Sequence, residues 1–235
     1  YAKGIEQAGS VEAFIKNDLY NPKRQMLGEE QEAWLQQALQ RSKARGATWQ
    51  VLGQQVLMGK LNIPVIPPEE LAKLELSEYA RPRVEQTQQL APYGLPSNLD
   101  AWDGYPAARE RLFAMLSAHA TNPVSLAGDT HNGWAFNLTN QKGEAVGVEW
   151  GTPGISSPGL ENYVPLPPEQ MQALLKGASP ELVACDTSQR GWTHVTLTPE
   201  AATAQWRFVS SVTEPTYRTS AGEPLVTQRN ARALA

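Results

Sequence analysis

NPVSLAGDTHNGWAFNL, residues 122 to 138, brings a carboxylate and an imidazole together just past an apolar run. Val124 to Ala127 reads as a short buried strand, and Gly128 has a backbone freedom that other residues lack. Beyond it stand Asp129 and His131, two residues apart. In an extended segment that spacing puts both side chains on one face, so an Asp oxygen and a ring nitrogen can converge on one centre. The oxygen suits a hard cation and the nitrogen a transition metal. The spacing equally admits a plainer reading, with Asp129 capping a turn and His131 making an ordinary hydrogen bond. The chain has three histidines, which gives this one weight, but Asp-x-His alone decides nothing.

Upstream, residues 28 to 43 carry Ala33, Trp34, Leu35, Ala38 and Leu39 on or near one face and charges on the other, which predicts a helix ended by Gly46. Trp49, Val51 and Leu52, then Val56 and Leu57, predict a strand running into an apolar turn. Helix followed by strand is the layering of an α/β sandwich. Gln54 and Gln55 fall where that strand ends. Gln54 is a candidate substrate-binding residue, as an oxygen ligand or a donor to bound phosphate; the alternative is that both amides satisfy loop backbone.

From Asn62 to Asn98 six prolines interrupt any pattern, and only Glu69 to Tyr79 has the composition of a short helix. The stretch reads as a surface excursion, either a connector or a cover over a site mouth. In Leu99 to Ser117, Pro106 suits a first helical turn, Ala107, Ala108, Leu112, Met115 and Leu116 keep helical spacing, and Asp103 is the candidate cap. Trp102 and Tyr105 read as packing residues.

Downstream, Val146 and Val148 alternate into GTPGISSPG, residues 151 to 159. This loop can offer amides to an anion but more often serves as a tight turn. Neither Ser156 nor Ser157 lies in a GxSxG pattern, which sets a serine hydrolase aside. Trp192 to Leu197 and Ala204 to Val209 predict an antiparallel hairpin, with Arg190 and His194 on or near its surface. Thr213 to Ala235 is polar and is expected to be a poorly packed tail after a domain spanning residues 1 to 212.

Composition narrows the class. At 235 residues and 41% hydrophobic, the chain can bury a sizeable core, and no run approaches the ~20 apolar residues of a membrane span. A net charge of -4 gives no general basic surface for nucleic acid. The single cysteine, Cys185, excludes a disulfide within the chain and reads as a small buried residue.

MLGEEQEAWLQQAL (Met26 to Leu39), WQVLGQQVLMGKL (Trp49 to Leu61), LDAWDGYPAARERL (Leu99 to Leu112), LAGDTHNGWAFNL (Leu126 to Leu138) and GISSPG (Gly154 to Gly159) occur in this order. Together they resemble the alkaline phosphatase D family of metallophosphoesterases over about Met26 to Val212. The resemblance implies a four-layer αββα sandwich with metal ions between its sheets at strand ends, and hydrolysis of phosphate monoesters, diesters or both. It makes GDTH a late metal motif, with Asp129 and His131 as metal ligands and catalytic residues in a calcium- and iron-containing centre. Such a centre neutralises phosphate oxygens and lowers the pKa of a bound water. The family is exported, which places the protein in the periplasm or outside the cell.

The same resemblance marks what this sequence lacks. The family carries its early ligands on an N-terminal Asp-Asp-His-Glu string and a downstream Asn, and no such string occurs here. With Tyr1 rather than Met at its start, the chain is expected to be the C-terminal half of the catalytic domain, with the N-terminal half as its partner and inactive alone. The competing reading is a non-catalytic binding or structural fragment whose metal site is incomplete.

Overall fold

The computed structural model describes residues 1–235. Its centre is a five-stranded mixed sheet built from β1 (Gln50–Gly53), β2 (Pro123–Ala127), β3 (Gly133–Thr139), β4 (Ala145–Gly151) and β5 (Leu182–Asp186), in the order β1-β2-β4-β3-β5. β1, β2 and β4 run parallel, with Val51 beside Val124 and Val124 beside Val148, whereas β3 is antiparallel to both β4 and β5. Parallel neighbours need crossovers: helices lie between β1 and β2, whereas β2 reaches β4 by way of the antiparallel β3. A second, antiparallel sheet pairs β6 (Arg190–Leu197) with β7 (Ala201–Val209), and β7 with β8 (Thr219–Ala221) and β9 (Leu225–Gln228).

The helices are α1 (Ala2–Ala8), α2 (Val11–Phe14), α3 (Glu29–Ala44), α4 (Pro68–Leu71), α5 (Arg81–Leu90), α6 (Pro106–His119) and α7 (Pro168–Ala178). α3 begins with Glu29, Glu30 and Glu32 and ends with Arg41 and Lys43, charges that oppose its dipole. Gly46, at φ 73°, stops it as expected. The face expected to be buried is uneven: Leu39 is enclosed but Trp34 is 64% exposed. Pro106 starts α6, yet no side chain caps it, and Asp103 is buried and turned to the backbone of Leu61 instead. Between residues 62 and 98 the expected single helix is replaced by α4 and α5. Pro82 belongs to the first turn of α5, where a missing N–H costs nothing.

Alternating residues divide the central sheet between two cores. Trp134, Phe136 and Leu138 of β3 pack with Leu112, Phe113 and Leu116 of α6 and with Met171 and Leu175 of α7. Ala135, Val124, Val148 and Trp150 meet Ala202, Ala204, Trp206 and Phe208 of β7. The chain is therefore a mixed α/β protein layered as helix, sheet and sheet, and on the outer face of β6 Trp192, His194 and Thr196 are exposed. Residues 213 to 221 of the tail are exposed, as expected of a poorly packed segment, but the tail also forms strands. β8 and β9 extend the second sheet, Thr227 is buried, and Leu234 donates its N–H to Asn137 Oδ1 of β3 at 2.8 Å. Its polar alternation is that of a half-exposed strand.

Candidate functional site

β2 ends at Ala127 against the carboxyl ends of its parallel neighbours. Gly128 N–H donates to the Gln55 carbonyl at 2.9 Å and Thr152 N–H to the Ala127 carbonyl at 2.9 Å, so the loop after β2 is fastened to the loops after β1 and β4. There the chain turns sharply, with Thr130 N–H donating back to the Gly128 carbonyl at 2.8 Å. Asp129 and His131 are both left-handed, at φ 67° and 62°. They lie on a turn and not in an extended strand, so the alternation that would put them on one face does not apply. An aspartate tolerates this conformation and a histidine does so at some cost, which makes the contacts that hold His131 informative.

Those contacts are specific. His131 Nδ1 lies 2.8 Å from the Pro158 carbonyl oxygen. A carbonyl can only accept, so Nδ1 carries a proton, and in the neutral ring Nε2 is then the nitrogen with the lone pair. The His131 carbonyl accepts from Gly154 N–H at 2.9 Å and from Arg190 Nη1, and Trp134 Nε1 donates to Thr130 Oγ1 at 2.6 Å beside it. Asp129 is exposed and His131 partly so. Together they offer one carboxylate and one imidazole nitrogen, donors that suit a hard cation beside a transition metal. The anchored second ring nitrogen is what oriented metal-binding histidines usually show. By chemistry the two could supply part of a coordination shell and not the whole of one, since no three His, Cys, Asp or Glu side chains in the chain are grouped closely enough to hold an ion.

Gln54 sits one strand away with both ends of its amide engaged. Its Nε2 donates to Ser125 Oγ at 2.9 Å and to Glu149 Oε1 at 3.3 Å, while Oε1 accepts from Trp102 Nε1 at 2.6 Å. Glu149, fully buried on β4, also accepts from the N–H groups of Met58 (2.9 Å) and Gly59 (2.8 Å) and from Ser125 Oγ at 2.8 Å. Burial pushes its carboxyl pKa up, and these donors pull against that shift. Gln54, itself partly exposed, thus belongs to a hydrogen-bond network that ties the turn after β1 to β4. Trp102, expected only to pack, is part of it.

Arg190 is buried instead of solvated, and its Nη2 pairs with Glu161. His194 is exposed on β6 and away from these contacts, and Ser156 and Ser157 are exposed on the 151–159 loop. Cys185 is buried, with its thiol pushed up to about 12 by desolvation, as suits an inert packing residue. Glu149, Arg109, Glu161 and Glu181 were not singled out by sequence. A lone carboxylate in the apolar run Val146 to Trp150 was the one available signal, for Glu149.

Fold and loop together define a layered α/β protein whose polar residues converge at the carboxyl ends of parallel strands, where open α/β sheets place their ligands. The chain belongs to the PhoD-like phosphatase family, whose sequence model matches residues 5–206. It is 30% identical over 219 residues to alkaline phosphatase D of Bacillus subtilis (strain 168), a match covering 91% of this chain and 32% of that protein. A solved structure described as "Structure of PhoD" is similar over 92% of this chain and 36% of its own, with a TM-score of 0.63 at 27% identity. The chain therefore spans about a third of the length of these relatives.

Proposed function

We propose that this chain takes part in metal-dependent hydrolysis of phosphate esters, monoesters or diesters, with Asp129 and His131 as metal ligands. Family membership supports the reaction class. The observation that carries the site assignment is His131 itself: its Nδ1 is committed to the Pro158 carbonyl, so Nε2 is the nitrogen left to bind, beside an exposed carboxylate on the same tight turn. A metal bound there would neutralise phosphate oxygens and make water a better nucleophile.

The chain's own residues do the positioning. The turn that Gly128 begins presents the Asp129 oxygens, the Pro158 carbonyl fixes the imidazole plane, and the Gln54, Ser125 and Glu149 network keeps the neighbouring strand-end loop in place. Gln54 serves this reading as a support: as a donor it reaches substrate only by giving up Ser125 or Glu149, while Oε1 keeps a second lone pair. Calcium for the carboxylate and iron for the imidazole are the metals proposed from family resemblance, with the remaining ligands supplied from outside these residues. On that view the chain by itself is inactive, its partner is the N-terminal half of the same enzyme, and the protein works in the periplasm or outside the cell.

The test is metal analysis and phosphate-ester hydrolysis of the complete protein carrying Asp129→Ala or His131→Ala. Both variants should lose metal and activity together, because removal of one direct ligand weakens the site. Wild-type metal stoichiometry and turnover in both would reject the assignment and leave the non-catalytic reading.

A further inference from the structure

His131 adopts a conformation uncommon for its residue type, and one closed circuit of hydrogen bonds surrounds it. Arg190 Nη1 donates to the His131 carbonyl. His131 Nδ1 donates to the Pro158 carbonyl at 2.8 Å. The Pro158 carbonyl and the Gly159 N–H belong to one rigid peptide plane, so whatever holds the N–H aims the carbonyl. Glu161 Oε1 accepts that N–H at 3.2 Å, and the same oxygen takes Arg190 Nη2. The guanidinium thus grips His131 twice, directly at its carbonyl and through Glu161 at the acceptor of its ring.

We propose that Arg190 and Glu161 are positioning residues for His131, holding its ring in the Nδ1–H tautomer with Nε2 presented. The consequence for metal binding rests on the assignment of His131 as a ligand; the circuit itself does not. Its chemistry is that of an orienting device. Arg190 is 8% exposed at the first residue of β6 while Glu161 is partly exposed, and such an ion pair is a poor source of net stability. A planar fork that donates in two directions is what the geometry uses, and an ammonium cannot supply it. Gly159 completes the arrangement, since a Cβ there would lie 2.4 Å from Asn132 Nδ2, 2.7 Å from Arg190 Nη2 and 2.8 Å from Glu161 Oε2. Backbone bonds brace the other side, with Gly154 N–H on the His131 carbonyl and Gly191 N–H on the Gly154 carbonyl, both 2.9 Å. The second sheet therefore reaches the loop after β2 through residue 190 and its neighbour.

The tautomer can be read directly in the metal-stripped full chain by long-range proton–nitrogen NMR of its histidine rings, with His131 identified by the signals lost in His131→Gln. The wild-type ring should be almost wholly the Nδ1–H form when neutral. Arg190→Gln and Glu161→Gln should each shift the tautomer ratio about fivefold toward Nε2–H, the equivalent of one weakened neutral hydrogen bond. Arg190→Lys should fall between. In the complete protein the same variants should bind Co²⁺ alone roughly 10- to 100-fold more weakly, the usual effect of losing an outer partner of a metal-binding histidine. If Arg190→Gln does not fold, the Glu161→Gln ratio decides. An unchanged ratio in the variants that fold, whatever their melting temperatures, overturns the proposal. A shifted ratio in a protein that binds no Co²⁺ at all upholds the circuit and rejects the metal assignment instead.

Discussion

Arg109 and Glu181 meet inside the protein, Nη2 to Oε2 at 2.6 Å, with side chains 1% and 6% exposed. Arg109 Nε also donates to the Met58 carbonyl at 2.7 Å and Nη1 to the Thr139 carbonyl at 3.2 Å. Glu181 in turn accepts from Lys60 N–H at 3.0 Å and Thr139 Oγ1 at 2.7 Å. One helix, α6, is thereby fixed to the turn after β1, the end of β3 and the start of β5. Every charge in the pair is answered, so the cost of desolvating them is offset.

Removing one partner should expose that cost. Arg109→Ala is expected to lower unfolding stability by about 3–5 kcal/mol, because Glu181 and two carbonyls would be left buried without their donor. Urea denaturation with an unchanged m-value is the measurement, and a loss under about 1 kcal/mol would show that the interior relaxes to admit water.

Gln54→Ala tests support against substrate contact. It strips a donor from Ser125 and Glu149 and an acceptor from Trp102, so a stability loss of about 1–3 kcal/mol is expected with a smaller effect on turnover. A variant that melts like wild type but hydrolyses phosphate esters poorly would move Gln54 onto the substrate.

Asp103 should make stability depend on pH. Burial, the largest influence, raises its carboxyl from an ordinary 3.8 to about 7, against the Leu61 N–H and Arg109, which lower it. The folded protein thus holds a proton that the unfolded chain releases between these values. The stability this proton confers is complete below about pH 4 and declines as pH rises toward 7, with a ceiling of about 4 kcal/mol at 1.4 kcal/mol per pKa unit. Asp103→Asn, neutral at every pH, should therefore gain melting temperature relative to wild type at pH 8 and little or none at pH 4. Parallel melting curves across that range for the two proteins would refute the shift.

Gly59 should not tolerate a side chain. A Cβ would stand 2.2 Å from Cγ of the fully buried Phe136 ring, and the glycine N–H is needed by Glu149. Gly59→Ala is expected to destabilise by about 1–3 kcal/mol or more through overpacking. Circular dichroism melting is sufficient to see it, and a Phe136→Leu background should recover part of the loss.

What the sequence determined by itself was local and periodic. The apolar run Val124 to Ala127, the helix ended by Gly46, the proline-started α6 and the hairpin of β6 and β7 all follow from spacing, turn chemistry and side-chain alternation, which act over a few residues. Asp129 and His131 could be singled out from the sequence because they are neighbours in the chain, and their role as ligands is the proposal made above. Tertiary structure decided the rest, since it depends on partners far apart in sequence. Arg190 looks like a strand-surface cation until Glu161 and the His131 carbonyl are brought to it. That Gln54 donates to Glu149, 95 positions away, could not be read from the sequence. The polar tail looks unstructured until β7 offers an edge whose backbone groups need partners. A buried polar group declares its role only through what satisfies it, and no local pattern contains that partner.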